Sequence, residues 1–329
     1  MGAGRSAETV GVEEEFLLAD PATGRTAPRA AEVLAGLRDT GLTRFHAELS
    51  ATQVEAATGP CTDLTELRAA LTEARSLVWS AAESAGLRVL SAGVPPLPTQ
   101  PIRAEGDRFQ RIVARYAGVV ADYEACACQV HVGVPDRDTG VAVLNHVRPW
   151  LPTLLALSAN SPCHAGRVTG YASWRIVQVS RFPGAGVPPW FDSAAAYDEH
   201  VTRMVDCGTL VDRGMTFWLA RLSPRYPTVE FRAADAVPEV DDAVLQAALA
   251  RALVRTALTE LEAGREGPRV RDDVLSAALW SAARYGLAGP AVHPTLERQV
   301  PARELLDELF AHVTPALRQT GDLGVLEGR

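Results

Sequence analysis

The sequence predicts an α+β fold built on a largely antiparallel sheet. Three observations lead there. Strand-like segments arrive in pairs and triplets with helices interspersed irregularly, which disfavours the regular alternation of a doubly wound sheet. Four of these segments carry polar residues on one face and apolar residues on the other, as a sheet with a packed back and a polar front requires. No internal repeat and no separating linker divides the chain, so a single domain over 1–329 is expected, with 1–7 a loose N-terminus of small and polar residues.

The elements follow in order. From Thr9, TVGVEEEFLLAD places Val10, Val12, Phe16 and Leu18 on one face and Glu13, Glu15 and Leu17 on the other, and PATG turns the chain. A short helix is expected near 29–39, then an extended segment, FHAELSATQVEAAT. Asp63 with Glu66 three residues on forms a capping box for a long helix. Its stripe of Leu64, Leu67, Leu71, Ala74, Leu77, Val78 and Ala81 faces the core. RVLSAGVPPLP reads as a strand entering a proline-rich loop, and a helix near 106–121 leads to the strand ACACQVHVGV. Helical segments split by Pro149 and Pro152 fill 139–160. The stretch 161–191, rich in Gly, Pro and aromatic residues, is too long for a connector and is expected to be a functional loop region. A helix over 194–207, the strands MTFWLARL and TVEFRAAD, and helices near 240–263, 270–285 and 301–318 complete the chain.

Composition narrows the functions. Asp and Glu number 40 against 32 basic residues, and no basic run occurs, which argues against a nucleic-acid or anionic-membrane surface. All 32 basic residues are Arg. A GxxxxGK phosphate loop, a lysine Schiff base and a lysine general base are therefore excluded. Cys61, Cys126, Cys128, Cys163 and Cys207 form no CxxC pair, and no basic-then-apolar leader precedes Val10, so reduced thiols in the cytoplasm are expected. Cys126 and Cys128 alternate with Ala125 and Ala127 and are expected to share a buried face. No apolar stretch reaches 18 residues without a charge or a helix breaker, so no membrane span is expected.

The acidic residues point to chemistry. Glu13 and Glu15 lie two apart on one strand face, about 7 Å from each other, and repel unless something positive lies between them. A solvated acidic face on an edge strand is the competing reading of that pair. Glu48 and Glu55 are seven apart, an odd separation that brings them to one site only if a bulge or turn intervenes, for which Ser50, Ala51 and Thr52 offer small residues. Glu230 and Arg232 share a face over Val229 and Phe231, and Gln129 and His131 share one over Val130 and Val132. Carboxylate oxygens with an occasional His select Mg²⁺ or Mn²⁺ over Zn²⁺, and arginine is the complementary partner for phosphate. Glu ligands with Arg175, Arg221 and Arg232 nearby make the composition of a metal-nucleotide site.

GVEEEFLL at 11–18, QVEAAT at 53–58, VHVGVPDRD at 130–138, TGYASWR at 169–175 and PTVEFRAAD at 227–235 occur in this order. In order and spacing, over roughly residues 9–318, they resemble the glutamate–cysteine ligase type 2 family of carboxylate–amine ligases. The resemblance implies the glutamine synthetase-like fold, whose antiparallel sheet forms a funnel-shaped cleft backed by helices. It also implies ATP-dependent joining of a carboxylate to an amine through an acyl phosphate. At the matching positions it implies metal ligation by Glu13, Glu15, Glu48, Glu55 and Glu230. It sets Arg175, Arg221 and Arg232 near phosphates or the substrate carboxylate, with Gln129 and His131 beside the cofactor and Arg175, Arg221 and Glu230 as the catalytic set. The implied cofactors are ATP and Mg²⁺ or Mn²⁺.

Departures from the family pattern bear on function. Gln129 stands where HVHVG has its first His, an amide that coordinates Mg²⁺ only weakly. Leu219 stands where W-D-x-R has Asp, SPCHAGRVTG lacks the aromatic and acidic residues usual between SP and TG, and the chain ends at Arg329, short of the family's final helical segment. The expected function is an ATP-dependent ligase joining a carboxylate, such as the amino acid glutamate, to an amine. Two other readings stay open. A diverged nucleotide-binding member with lost or altered catalysis accounts for Gln129 and Leu219, and would bind nucleotide without releasing phosphate. A metal-dependent hydrolase is suggested by His131 and the acidic set, although the missing His pair at 129–131 counts against it. Expected partners are small-molecule carboxylate and amine substrates, with neither nucleic acid nor membrane; a homo-oligomer is compatible with the sequence.

Overall fold

Alternation at the start of the chain becomes β1 (Val10–Ala19), after which α1 (Ala30–Ala35) leads into a hairpin of β2 (Thr43–Ala47) and β3 (Gln53–Thr58). The computed structural model describes residues 9–99 and 101–327, so the expectation for 1–7 lies outside the described residues. Helix α2 (Leu64–Ser84) begins at Asp63, whose carboxylate accepts from the N–H groups of Thr65 and Glu66, while Glu66 reaches back to the N–H of Thr62. These bonds satisfy orphan donors at the helix start. Next come β4 (Arg88–Leu90), α3 (Asp107–Tyr116), β5 (Ala127–Gly133), α4 (Arg137–Val147) and α5 (Leu151–Ser158). Pro149 falls in the single 3-10 turn between α4 and α5, and Pro152 in the first turn of α5, where a missing N–H costs nothing.

The expected loop region at 161–191 is tied down in short pieces. These are a hairpin of β6 (Cys163–His164) and β7 (Arg167–Val168), then α6 (Trp174–Val179) and β8 (Ala185–Gly186). The chain continues through α7 (Ala194–Asp206), β9 (Phe217–Trp218), β10 (Ala220–Leu222), β11 (Thr228–Asp235), α8 (Val240–Glu262) and α9 (Asp272–Tyr285). A second hairpin, β12 (Pro290–His293) and β13 (Arg298–Pro301), precedes α10 (Ala302–Thr320) and α11 (Leu323–Glu327).

Seven strands form the central sheet in the order β10-β11-β5-β1-β3-β2, with β4 also paired to β1, and every pairing in it is antiparallel. The α+β class with a largely antiparallel sheet is therefore the observed one. Val10, Val12, Cys128, Val130, Val132, Val229 and Phe231 face one buried core, and Phe16, Leu18, Val54 and Ala56 continue it beneath α1 and α2. Helix α8 lies across this back, and its buried Ala243, Ala247, Ala250 and Ala252 let its backbone approach closely. Cys126 leaves that face. It precedes β5 and packs with Leu17 and Ala236 in a separate small cluster, so the two thiols expected together are divided.

Two local features set the polar front. Opposite β5, Phe231 pairs with Val130 but Ala234 pairs with Cys128, so β11 holds one extra residue in a bulge at 232–233. Beyond the bulge the alternation changes phase, and Asp235, opposite Ala127, faces the same side as Glu230 and Arg232. The second feature is Glu14, which sits on the packed side between Glu13 and Glu15. Arg75, in the buried stripe of α2, meets it with Nε and Nη2 at 3.0 and 2.6 Å and gives its remaining bonds to the carbonyls of Val237 and Pro238. This ion pair locks β1, α2 and the start of α8 together. Arg75→Ala should cost about 3–5 kcal/mol by stranding a buried carboxylate, whereas replacing both partners with Leu and Met should cost far less. Urea denaturation of the two variants checks this.

Candidate functional site

The polar front of the sheet opens on a cavity of ≈ 710 Å³, a size suited to small molecules. Size alone does not identify it. A hollow of ≈ 720 Å³ between residues 287–290 and 299–303 offers Arg303 as its single ionisable lining residue. The cleft, in contrast, collects Glu13 and Glu15 from β1, Glu55 from β3, Gln129 from β5, Arg232 from β11, Arg221 from β10 and Arg175 from α6.

The carboxylates fall into two groups. Ligand atoms of Glu13, His131 and Glu230 lie within 4.8 Å of one another, and so do those of Glu15, Glu48 and Glu55. Pairing explains the first group, because Glu13 is opposite Gln129 and Glu230 is opposite His131 on adjacent strands. The second depends on the hairpin. Glu48 follows the end of β2, the chain turns at 50–52, and β3 returns Glu55 opposite His46 and beside Glu15. The odd separation of Glu48 and Glu55 is thus absorbed by a turn at the small residues. Buried Glu124 holds that turn by accepting from Thr52 and from Ser50, and from Thr99 of the proline-rich loop.

The two groups differ in electrostatics. Glu230 accepts from Arg221 Nε and Nη2, both at 2.9 Å, and from Arg232. Burial opposes its ionisation, yet Arg221, Arg232 and His131 outweigh it and hold the carboxyl well below the usual range. Glu13 is also lowered, because His131 overcomes the effect of burial. Glu15 accepts from the N–H of Ala127 at 2.8 Å and from Gln129 Nε2 at 2.6 Å. Burial, and then the charge of Glu48, push it up to about 8. Burial likewise raises Glu48 and carries Glu55 well above its ordinary value. A chain of contacts joins the groups, since Gln129 donates to Glu15 and its oxygen accepts from Arg232.

A divalent cation fits this donor set on two grounds. The second group packs three hard oxygen donors against each other with no ion pair to an arginine on any of them among the described residues, and His131 Nε2 is buried with no hydrogen-bond partner, 3.3 Å from Glu13 Oε1. His131 is oriented through its other nitrogen, 2.9 Å from Thr228 Oγ1. Arg221 spends its remaining nitrogen on the carbonyls of Gly214 and Thr216, and Arg175 donates to the carbonyls of Arg232 and Ala233. Leu219 is buried at the cleft edge, where its backbone bonds Gly186 and Arg232. The opposite wall is mainly apolar, built by Leu49, Phe109, Ile112, Tyr123, Met215 and Phe217, and it also carries Arg213, Arg225 and the Arg108–Asp212 ion pair. Sequence reasoning missed Tyr123 and the apolar wall, which form only when α3 folds over the sheet, and Asp235, whose odd distance from Glu230 concealed its face.

The model of the family described as Glutamate-cysteine ligase family 2 matches residues 9–326. "Putative glutamate--cysteine ligase 2-2" of Saccharopolyspora erythraea is 56% identical over 323 residues, covering 97% of this chain and 83% of that protein. "Putative glutamate--cysteine ligase 2" of Salinispora arenicola is 46% identical over 315 residues, covering 95% and 83%. Among solved structures, the glutamate–cysteine ligase of Francisella tularensis in complex with AMP shares the fold with a TM-score of 0.71 at 14% identity, covering 94% of this chain and 78% of that one.

The contrast between the groups sets a pH dependence. A carboxyl whose folded value is raised favours the fold below its ordinary value near 4.5 and loses that contribution as pH rises toward about 8. Glu230, being lowered, has contributed fully above 4.5 and does not mask the effect. In chelator, the melting temperature should therefore fall between about pH 5 and 8, each unit of displacement being worth about 1.4 kcal/mol. Mg²⁺ or Mn²⁺ should restore it most at the alkaline end, and Glu48→Gln should flatten the slope. Glu230→Gln should instead lower the metal-free melting temperature, because it strands Arg221 and Arg232. Melting curves across pH with and without the cation check both.

Proposed function

This chain belongs to Glutamate-cysteine ligase family 2, and on that premise we propose that its cleft joins a carboxylate to an amine with cleavage of ATP, through an acyl phosphate. The observation that carries the reading is the pair of three-ligand groups on one sheet face with arginines beside them, of which Glu13, Glu15, Glu48 and Glu55 line a cavity of ≈ 710 Å³. Glu13, His131 and Glu230 would hold one divalent ion and Glu15, Glu48 and Glu55 another. Such ions, when bound, supply positive charge to phosphate oxygens.

In the first step a substrate carboxylate oxygen bonds the γ-phosphorus as the bridge to ADP breaks. In the second, the amine nitrogen bonds the acyl carbon, phosphate departs, and the nitrogen gives up a proton to solvent. Neither step needs a protein nucleophile. Arg175 and Arg232 present permanent charge to the oxyanions, and Arg221 keeps Glu230 ionised and in place. The apolar wall around Tyr123, Phe109 and Phe217 limits water near a hydrolysable intermediate and gives the body of the amine a surface to rest on. Arginine alone supplies the cations, in keeping with the absence of lysine. The five cysteines are unpaired, as a reducing cytoplasm would leave them. No helix among the described residues is long and apolar enough to cross a membrane.

Phosphate release from ATP with Mg²⁺, measured over a panel of amino acids singly and in pairs, tests the reading. Release should require one carboxylate and one amine together, and Glu13→Gln should reduce it by about a hundredfold or more. Nucleotide binding with no release in any pair would favour a member without catalysis, and turnover without ATP would favour a hydrolase.

A further inference from the structure

Arg175 reaches the cleft from α6, a helix of six residues, too short to hold its own orientation. What holds it lies outside the cleft. Asp235 is fully buried at the end of β11, turned to the front by the bulge, and its carboxylate gathers four groups. Oδ1 accepts from Ser173 Oγ at 2.8 Å and from Arg175 Nη1 at 3.4 Å. Oδ2 accepts from Asn160 N–H at 2.9 Å and from Ser161 Oγ at 2.6 Å. Ser173 is the N-cap of α6, and Ser161 Oγ accepts from the N–H of Arg175 at 3.1 Å. One carboxylate therefore fixes both flanks of the β6–β7 hairpin and the first turn of the helix that carries Arg175. Gly93 makes room for it, since an added Cβ there would lie 2.8 Å from the carboxylate.

We propose that Asp235 is the positioning residue for Arg175, setting the direction in which its guanidinium meets a substrate oxyanion in the cleft. The contacts divide the work. The carbonyls of Arg232 and Ala233 take N–H groups from the guanidinium, Asp235 supplies the compensating charge and anchors the backbone, and the remaining edge borders the cavity. That Arg175 meets an oxyanion rests on the ligase reading above; that Asp235 holds it does not.

Two measurements separate these parts. In Asp235→Asn, hydrogen exchange read by mass spectrometry should quicken by about tenfold or more over 160–176 and stay unchanged in β1 and α8. In steady-state assays the same variant should lose about 10- to 100-fold in kcat/KM, carried by a higher KM for ATP or for the carboxylate substrate. In an Arg175→Met background it should cost less than about twofold more, because a residue acting through Arg175 has nothing left to position. Unchanged exchange over 160–176, or losses that multiply in the double variant, would overturn the proposal. Should Asp235→Asn fail to fold, Ser161→Ala removes one donor to the carboxylate and should give the same pattern at smaller amplitude. Absence of ATP turnover in the wild-type chain would refute the ligase reading and leave the exchange result to decide the role of Asp235.

Discussion

Mutual repulsion of carboxylates on one sheet face is the constraint on which the rest of this structure depends. Glu13, Glu15, Glu48, Glu55 and Glu230 converge on a surface too small to leave them all ionised and unpartnered. Arginines relieve the repulsion at Glu230, whereas burial and the neighbouring acids raise Glu15, Glu48 and Glu55 and so favour their neutral forms. The packed back of the sheet and the clamped loops hold the groups together against this strain, an arrangement expected where stability is given up for function. The apolar core behind β1 and the buried Glu14–Arg75 pair act on the same strand that carries Glu13 and Glu15.

Arginine without lysine changes how such a scaffold is fastened. A guanidinium has several donors in a fixed plane and can join a carboxylate to backbone carbonyls at once. Arg75 bonds Glu14 and the carbonyls of Val237 and Pro238, Arg221 bonds Glu230 and the carbonyls of Gly214 and Thr216, and Arg175 bonds Asp235 and the carbonyls of the bulge. Arg75 and Arg175 cross-link segments distant in sequence, while Arg221 ties together neighbouring ones, β10, β11 and the turn before β9. A lysine ammonium could neutralise the same carboxylates but would not tie the same backbone in one plane.

Much of this was legible in the sequence because the responsible forces are local. Period-two alternation marked β1, β5 and β11, and the Asp63–Glu66 spacing marked the start of α2. The convergence of Glu13, His131 and Glu230 followed from strand polarity. Other features were hidden for physical reasons. Glu14 looked like one more acid in a triplet, since its partner Arg75 lies 61 residues away on a helix whose stripe otherwise reads apolar. The short hairpins β6–β7 and β12–β13 carry too few residues to show a period. Tyr123 lines the cleft only because α3 and the segment after it fold across the sheet, a long-range event without a local signature.

The bulge in β11 acts as a shift of reading frame written in backbone rather than in codons. A regular strand assigns its residues to two faces by parity, and no choice of side chains puts positions 232 and 235 on the same one. One surplus residue at 232–233 does so, giving the E-x-R-x-x-D sequence of 230–235 three front-facing charges where alternation permits two. The arrangement therefore depends on the bulge itself. Pairing the same residues in unbroken alternation would turn Asp235 into the apolar side and leave the hairpin and α6 without their common anchor. Register at this point is as much a part of the site as chemistry.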